Sequence, residues 1–150
     1  MSPAYREVTG EDKAYCLEHF PKLQTHLNYS PKWFHHWINL DKAIEFLFEQ
    51  NSGNTFIVEE KFLVSYVVAE QWNLDGRHLF ELCIVDLYRD QPGDWKSCLR
   101  FLEQMALIEM ADCVHVGTSL RDSDIQMAGE LADAGYQPAN FHHFREVPRP

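Results

Sequence analysis

The apolar positions of this chain change their spacing along its length, and those changes mark its elements. Tyr5–Val8 reads as a short first strand. Thr9-Gly10-Glu11-Asp12 has the pattern of a capping box, in which Thr9 and Asp12 satisfy the free amides of a helix start. This predicts a helix through about His19, with Pro21 as its end or kink. Ser30-Pro31 opens a second helix, with Pro at the first helical position. Trp33, Trp37, Leu40, Ile44 and Leu47 recur at helical spacing and form its apolar stripe. Asn51-Ser-Gly-Asn54 is a turn cluster.

The period then changes. Thr55–Glu59, Phe62–Glu70 and His78–Asp86 are rich in Val, Ile, Phe and Leu and read as three strands. Glu60-Lys61 joins the first pair tightly, and Asn73-Leu-Asp-Gly76 supplies the next turn. Trp95, Cys98, Leu99, Leu102, Met105 and Ala106 form another helical stripe. Val114–Gly117 reads as a strand, Ser119–Ala134 as a helix ended by Gly135, and Phe141–Val147 as a final strand. The order β-α-α-β-β-β-α-β-α-β predicts an α/β fold, a mixed central sheet with helices on both faces.

Length and composition place this pattern in an ordinary globular chain. At 150 residues it suits one domain spanning 1–150 with a real core. The 45% hydrophobic content argues against disorder. No apolar run reaches the length of a membrane span, and MSPAYREV lacks the features of a signal peptide. The expectation is a cytoplasmic protein. Cys16, Cys83, Cys98 and Cys113 lie widely spaced in apolar runs and read as buried free thiols in a reducing compartment. No CxxC or HExxH occurs, so the usual zinc signatures are absent and no metal is expected.

Net charge is −10, from 23 acidic and 13 basic residues, which repels nucleic acid and anionic membranes. It suits a cationic partner, such as an amine or a basic protein surface. The acidity is spread through the chain and not gathered into blocks, which disfavours mimicry of nucleic acid.

The element order carries a resemblance. With Val85-Asp86-Leu87-Tyr88-Arg89 before one helix and Ala134-Gly135-Tyr136 after the next, it resembles the GNAT superfamily of N-acetyltransferases over nearly the whole chain. That resemblance implies acetyl-CoA as cofactor, its pyrophosphate held by a glycine-rich loop and the N-terminus of the following helix. Such a site works because the first amides of a helix lack intrahelical partners and the helix dipole attracts anions. Here the implied positions are Val85, Leu87, Arg89, Gln91, Gly93, Asp94 and Trp95.

The loop departs from the family's pattern. Pro92 has no amide to donate. Asp94 is placed to cap the helix with its own carboxylate. Asp90 and Asp94 also repel pyrophosphate, by about 3 kcal/mol per charge pair at 5–6 Å and an effective dielectric near 20. Arg89 and Lys96 offset part of this. The expectation is acetyl-CoA binding that is weakened or lost.

The catalytic positions depart as well. Where the family often places an acidic Tyr, four residues before the late Gly, this chain has Leu131; where Asn is common earlier, it has Asp124. Tyr136 reads as a core aromatic. Glu81, on the central strand among apolar residues, is the candidate general base. Asp86 suits a role in positioning the loop. His35-His36 and His142-His143 diverge in direction, so neither pair chelates a metal alone, while His115 is placed to meet His142 or His143 across strands.

Two functions follow. One is a GNAT-like fold kept for binding or assembly, with a protein partner or self-association. The family includes phage proteins, some of them particle components, and Trp33 and Trp37 then serve an interface. The alternative is an acyl-CoA-dependent N-acetyltransferase acting on a cationic amine, with Glu81 deprotonating it. The sequence leaves enzymatic activity open between these two.

Overall fold

The computed structural model describes residues 2–24, 39–117, 124–138 and 148. Strand β1 (Tyr5–Glu7) leads into helix α1 (Gly10–Gln24). The capping box forms between them: the Thr9 amide donates to Asp12 Oδ2 at 2.8 Å and the Asp12 amide to Thr9 Oγ1 at 3.4 Å. Pro21 does not end α1. The helix runs on past it to Gln24.

Helix α2 (Leu40–Glu45) starts later than the apolar stripe suggests. Asn39 is extended, with φ −108° and ψ 100°, and its side chain accepts the Lys42 amide at 2.9 Å. Asn39 is thus an N-cap, and it breaks the continuous helix expected from Ser30-Pro31 to Leu47. Ser30, Pro31, Trp33 and Trp37 lie outside the described residues. A π-helical turn over Phe46–Gln50 extends α2, and a 3-10 turn over Ser52–Asn54 occupies the expected turn cluster.

Strands β2 (Thr55–Val58), β3 (Phe62–Ala69) and β4 (His78–Asp86) form an antiparallel meander, and β5 (Cys113–His115) joins β4 in parallel. The sheet order is β1-β2-β3-β4-β5. Helix α3 (Lys96–Ile108) makes the β4–β5 crossover, and α4 (Asp124–Asp133) follows. The expected final strand Phe141–Val147 and the start of the Ser119 helix lie outside the described residues.

Helices cover both faces of the sheet. On one, Cys98, Phe101, Leu102, Met105 and Ala106 of α3 pack on Val58, Phe62, Val64, Tyr66, Leu79 and Ile84. On the other, Cys16 and Phe20 of α1 and Ile44, Leu47 and Phe48 pack on Ile57, Leu63 and Leu87. Residues 62–66 of β3 are all buried, as a strand covered on both sides requires. The thiols divide: Cys16 and Cys98 are buried, but Cys83 is half-buried and Cys113 exposed, because β5 lies at the open side of the described sheet.

Candidate functional site

The site is built where β4 and β5 part. Among the described residues they pair only through His78↔Cys113, Leu79↔Val114 and Phe80↔His115. Just beyond, the β3–β4 register slips: Ser65 faces Cys83 and Tyr66 faces Glu81, leaving Leu82 as an extra residue on β4. Such a bulge bends and twists a strand. Glu81 stands at this fork and accepts the Gly117 amide at 3.2 Å, tying β4 to the chain that leaves β5.

The end of β4 feeds the loop 87–95, which is organised from below by Lys61. The Lys61 carbonyl accepts the amides of Leu87 at 3.1 Å and Tyr88 at 3.0 Å. Its side chain is buried and runs into the loop. There Nζ lies 2.9 Å from Asp86 Oδ1 and donates to the Arg89 carbonyl at 3.1 Å. Gly93 closes over the stem: a Cβ at Gly93 would stand 3.1 Å from Lys61 Cδ. A side chain at Gly93 would thus crowd the Lys61 stem.

Lys61 is delivered by a strained turn. Glu59 and Glu60, with φ 54° and 52°, both lie in the left-handed region. The Lys61 amide returns to the Val58 carbonyl at 3.0 Å. Glycine or asparagine is usual in such a turn. Here Glu60 holds Arg6 Nε through both oxygens, at 2.9 and 3.0 Å, and Glu59 exchanges backbone and side-chain contacts with Ala4.

At the far end of the loop, Asp94 caps α3. Its Oδ1 accepts the Lys96 amide at 3.0 Å, while its carbonyl accepts the Ser97 amide at 3.0 Å and the Ser97 hydroxyl at 2.7 Å. Trp95 already has helical dihedrals and donates its indole N–H to Glu130 Oε2 of α4. The Gln91 amide donates to the Tyr88 carbonyl. The amides of Leu87, Tyr88 and Gln91 in the loop, and of Lys96 and Ser97 at the helix start, are thus spent inside the chain.

The loop is also fastened to α1. The Tyr88 hydroxyl donates to Asp12 Oδ1, and the buried Asp12 carboxylate further accepts Arg6, the Thr9 amide and the Thr9 hydroxyl. Burial alone would raise the Asp12 pKa, but these hydrogen bonds outweigh it and hold it down at about 2. The Tyr88 ring packs on Tyr15, centroids 4.7 Å apart, and Tyr15 stacks on His19 at 3.9 Å.

Leu131, at the acid position, is buried against Leu99, Trp95, Val116 and Tyr136. Gly135, with φ 91°, ends α4 in a Schellman turn, the Tyr136 amide reaching the Leu131 carbonyl at 2.9 Å. The Gly-Tyr pair therefore has a structural job. The Tyr136 hydroxyl donates to Glu103 Oε1 at 3.1 Å. Burial and Glu103 raise its pKa beyond the usual range.

The expected cofactor positions divide between core and surface. Val85 and Leu87 face the α1–α2 core, and Leu87 is fully buried. Arg89, Asp90, Gln91, Gly93 and Asp94 are exposed, and Trp95 is half-buried. Glu81 stands apart from them at the fork. Asp124 begins α4. Asp12 was read from the sequence only as part of a helix cap, and the roles of Lys61 and Tyr88 were not read there, since Lys61 meets Arg89 28 residues away and Tyr88 meets Asp12 76 residues away. His115 meets His78, with His142 and His143 outside the described residues: His78 Nε2 lies 2.8 Å from the Asp75 carbonyl, and its Nδ1 2.8 Å from His115 Nε2. No group of three metal-ligating side chains occurs among the described residues. No described helix is long and apolar enough to cross a membrane.

Comparison with known proteins supports the architecture. No protein-family model matches the chain, and no curated protein matches it in sequence. Solved structures do match. A predicted acetyltransferase from Clostridium acetobutylicum, solved with acetyl-CoA, is 14% identical, with 97% of this chain and 96% of that one covered and a TM-score of 0.60. An aminoglycoside acetyltransferase from an uncultured soil metagenomic sample, in complex with sisomicin, is 13% identical at 98% and 97% coverage, TM-score 0.58. An integron cassette protein from the V. cholerae mobile metagenome is 12% identical at 97% and 94% coverage, TM-score 0.52. The fold is therefore that of the GNAT acetyltransferases.

Proposed function

We propose that this chain is a single-domain GNAT-fold protein whose cofactor loop has become a structural element. Its work is then binding or assembly and not acyl transfer. The observation that carries this reading is Asp94, whose carboxylate takes the Lys96 amide at the helix start where a pyrophosphate would dock. Glu130, held by the Trp95 indole, brings a second carboxylate to the same helix start. Leu131 and the engaged Tyr136 supply no ready acid for a departing thiolate. The partner on this reading is a protein or a second copy of the chain, in the cytoplasm or in a phage particle assembled there.

The second reading, an N-acetyltransferase using acetyl-CoA, is favoured by one observation. The fork between β4 and β5 is intact, with Glu81 at its apex as candidate base. The acetyl-CoA-bound and sisomicin-bound neighbours suggest a cationic amine as its acceptor. Calorimetric titration with CoA and acetyl-CoA separates the two. The binding reading expects no heat at micromolar concentrations, and micromolar affinity followed by acetylation of an amine panel would establish the enzyme instead.

A further inference from the structure

The loop 87–95 is arranged for the opposite charge to the one its place in the fold suggests. A loop that cradles phosphate turns its amides inward. Here a carbonyl of the loop, that of Arg89, and the carboxylate of Asp86, the last residue of β4 before it, face a buried ammonium. The Lys61 stem runs beside Gly93, and Nζ lies over the Phe62 ring, 5.4 Å from its centroid. Burying an ammonium is costly unless it is paired and hydrogen-bonded. Lys61 nonetheless sits at 6% exposure, on a turn with two consecutive left-handed glutamates. Strain of that kind persists where the surroundings over-determine it.

We propose that the 87–95 loop is a cation-binding loop, occupied by the chain's own Lys61. With that side chain removed, it takes a small primary ammonium and not phosphate. The inference rests on the reading of this loop as one that does not hold pyrophosphate, and it adds the chemical class the loop does hold. It also makes the loop's order independent of any external ligand.

The test is chemical rescue. Lys61→Ala deletes the part of the side chain that n-propylammonium replaces. The variant is expected to unfold at lower temperature than the wild type. Saturating n-propylammonium should restore roughly 3 °C or more, relative to sodium chloride at equal ionic strength, and leave the wild type unmoved. Inorganic phosphate and CoA should give the variant nothing. No difference between propylammonium and sodium, or stabilisation by phosphate, overturns the proposal.

If Lys61→Ala does not fold, Lys61→Met keeps the stem against Gly93 and Phe62. Combined with Asp86→Asn it should lose less stability than the two single changes summed, since the Asp86 charge matters through Lys61. Strict additivity overturns the proposal. Titration of the wild type with CoA is a separate measurement. The loop can thus fail as a cation site while the binding reading stands, or the reverse.

Discussion

Asp94 Oδ1 lies 3.0 Å from the Lys96 amide, so a residue of the loop caps the helix that the loop leads into. Removing such a cap typically costs about 1 kcal/mol. Asp94→Ala should lower unfolding stability by that amount in urea titration. Asp94→Ser, which can still accept an amide, should recover most of it. If Asp94→Ala is neutral, the carboxylate is not holding the helix start.

Asp12 ties α1 to the loop through Tyr88 and to β1 through Arg6. Its pKa is held down from an ordinary 3.8 to about 2, despite the burial that opposes this. A lowered carboxyl contributes stability in full above its unfolded value and loses it as pH falls through the folded one. Stability should therefore drop between pH 4 and 2, by about 2 kcal/mol from this group. Asp12→Asn should flatten that part of the pH profile, measured by urea unfolding. An unchanged acid limb in the variant would contradict the network.

The His78–His115 contact clasps β5 to β4 just before they part. Burial and then His78 lower the His115 pKa from the ordinary 6.5. A histidine lowered in this way stabilises the fold fully above 6.5, and that contribution is lost as pH falls through the folded value. NMR titration should place His115 below 6.5, and His78→Gln should move it back up. A His115 that titrates above 6.5 in the wild type would refute this.

Met110 ends α3 with φ 54°, in a Schellman turn where the Ala111 amide reaches the Ala106 carbonyl at 2.8 Å. Its side chain is 81% exposed, so little packing is at stake. Glycine avoids the left-handed penalty of an L-residue. Met110→Gly should stabilise by about 1 kcal/mol, read as a rise in Tm of roughly 2–4 °C.

Local signals in this chain were legible where short-range chemistry decides the outcome. The Thr9–Asp12 box, the His78–Asp86 strand and Gly135 as a helix end all appear as the sequence implied. Asp94 as a cap was legible for the same reason, since its partner lies two residues away. Pro21 misled: the helix runs past it to Gln24. Asn39 went unnoticed because an apolar stripe can continue in phase across a capped break. Lys61 and the Leu82 bulge were not legible at all. Both depend on register between strands and loops far apart in sequence, which composition and periodicity do not encode.

The central claim is that the amides of Leu87, Tyr88 and Gln91 in the loop, and of Lys96 and Ser97 at the helix start, serve the chain itself. Its most direct test is an NMR titration of the wild type with CoA to millimolar concentration, reading the backbone amides of Tyr88, Gln91, Lys96 and Ser97. The account predicts that these four resonances do not shift. Saturable shifts at Lys96 and Ser97 with micromolar affinity would show a pyrophosphate displacing the Asp94 cap and would contradict it.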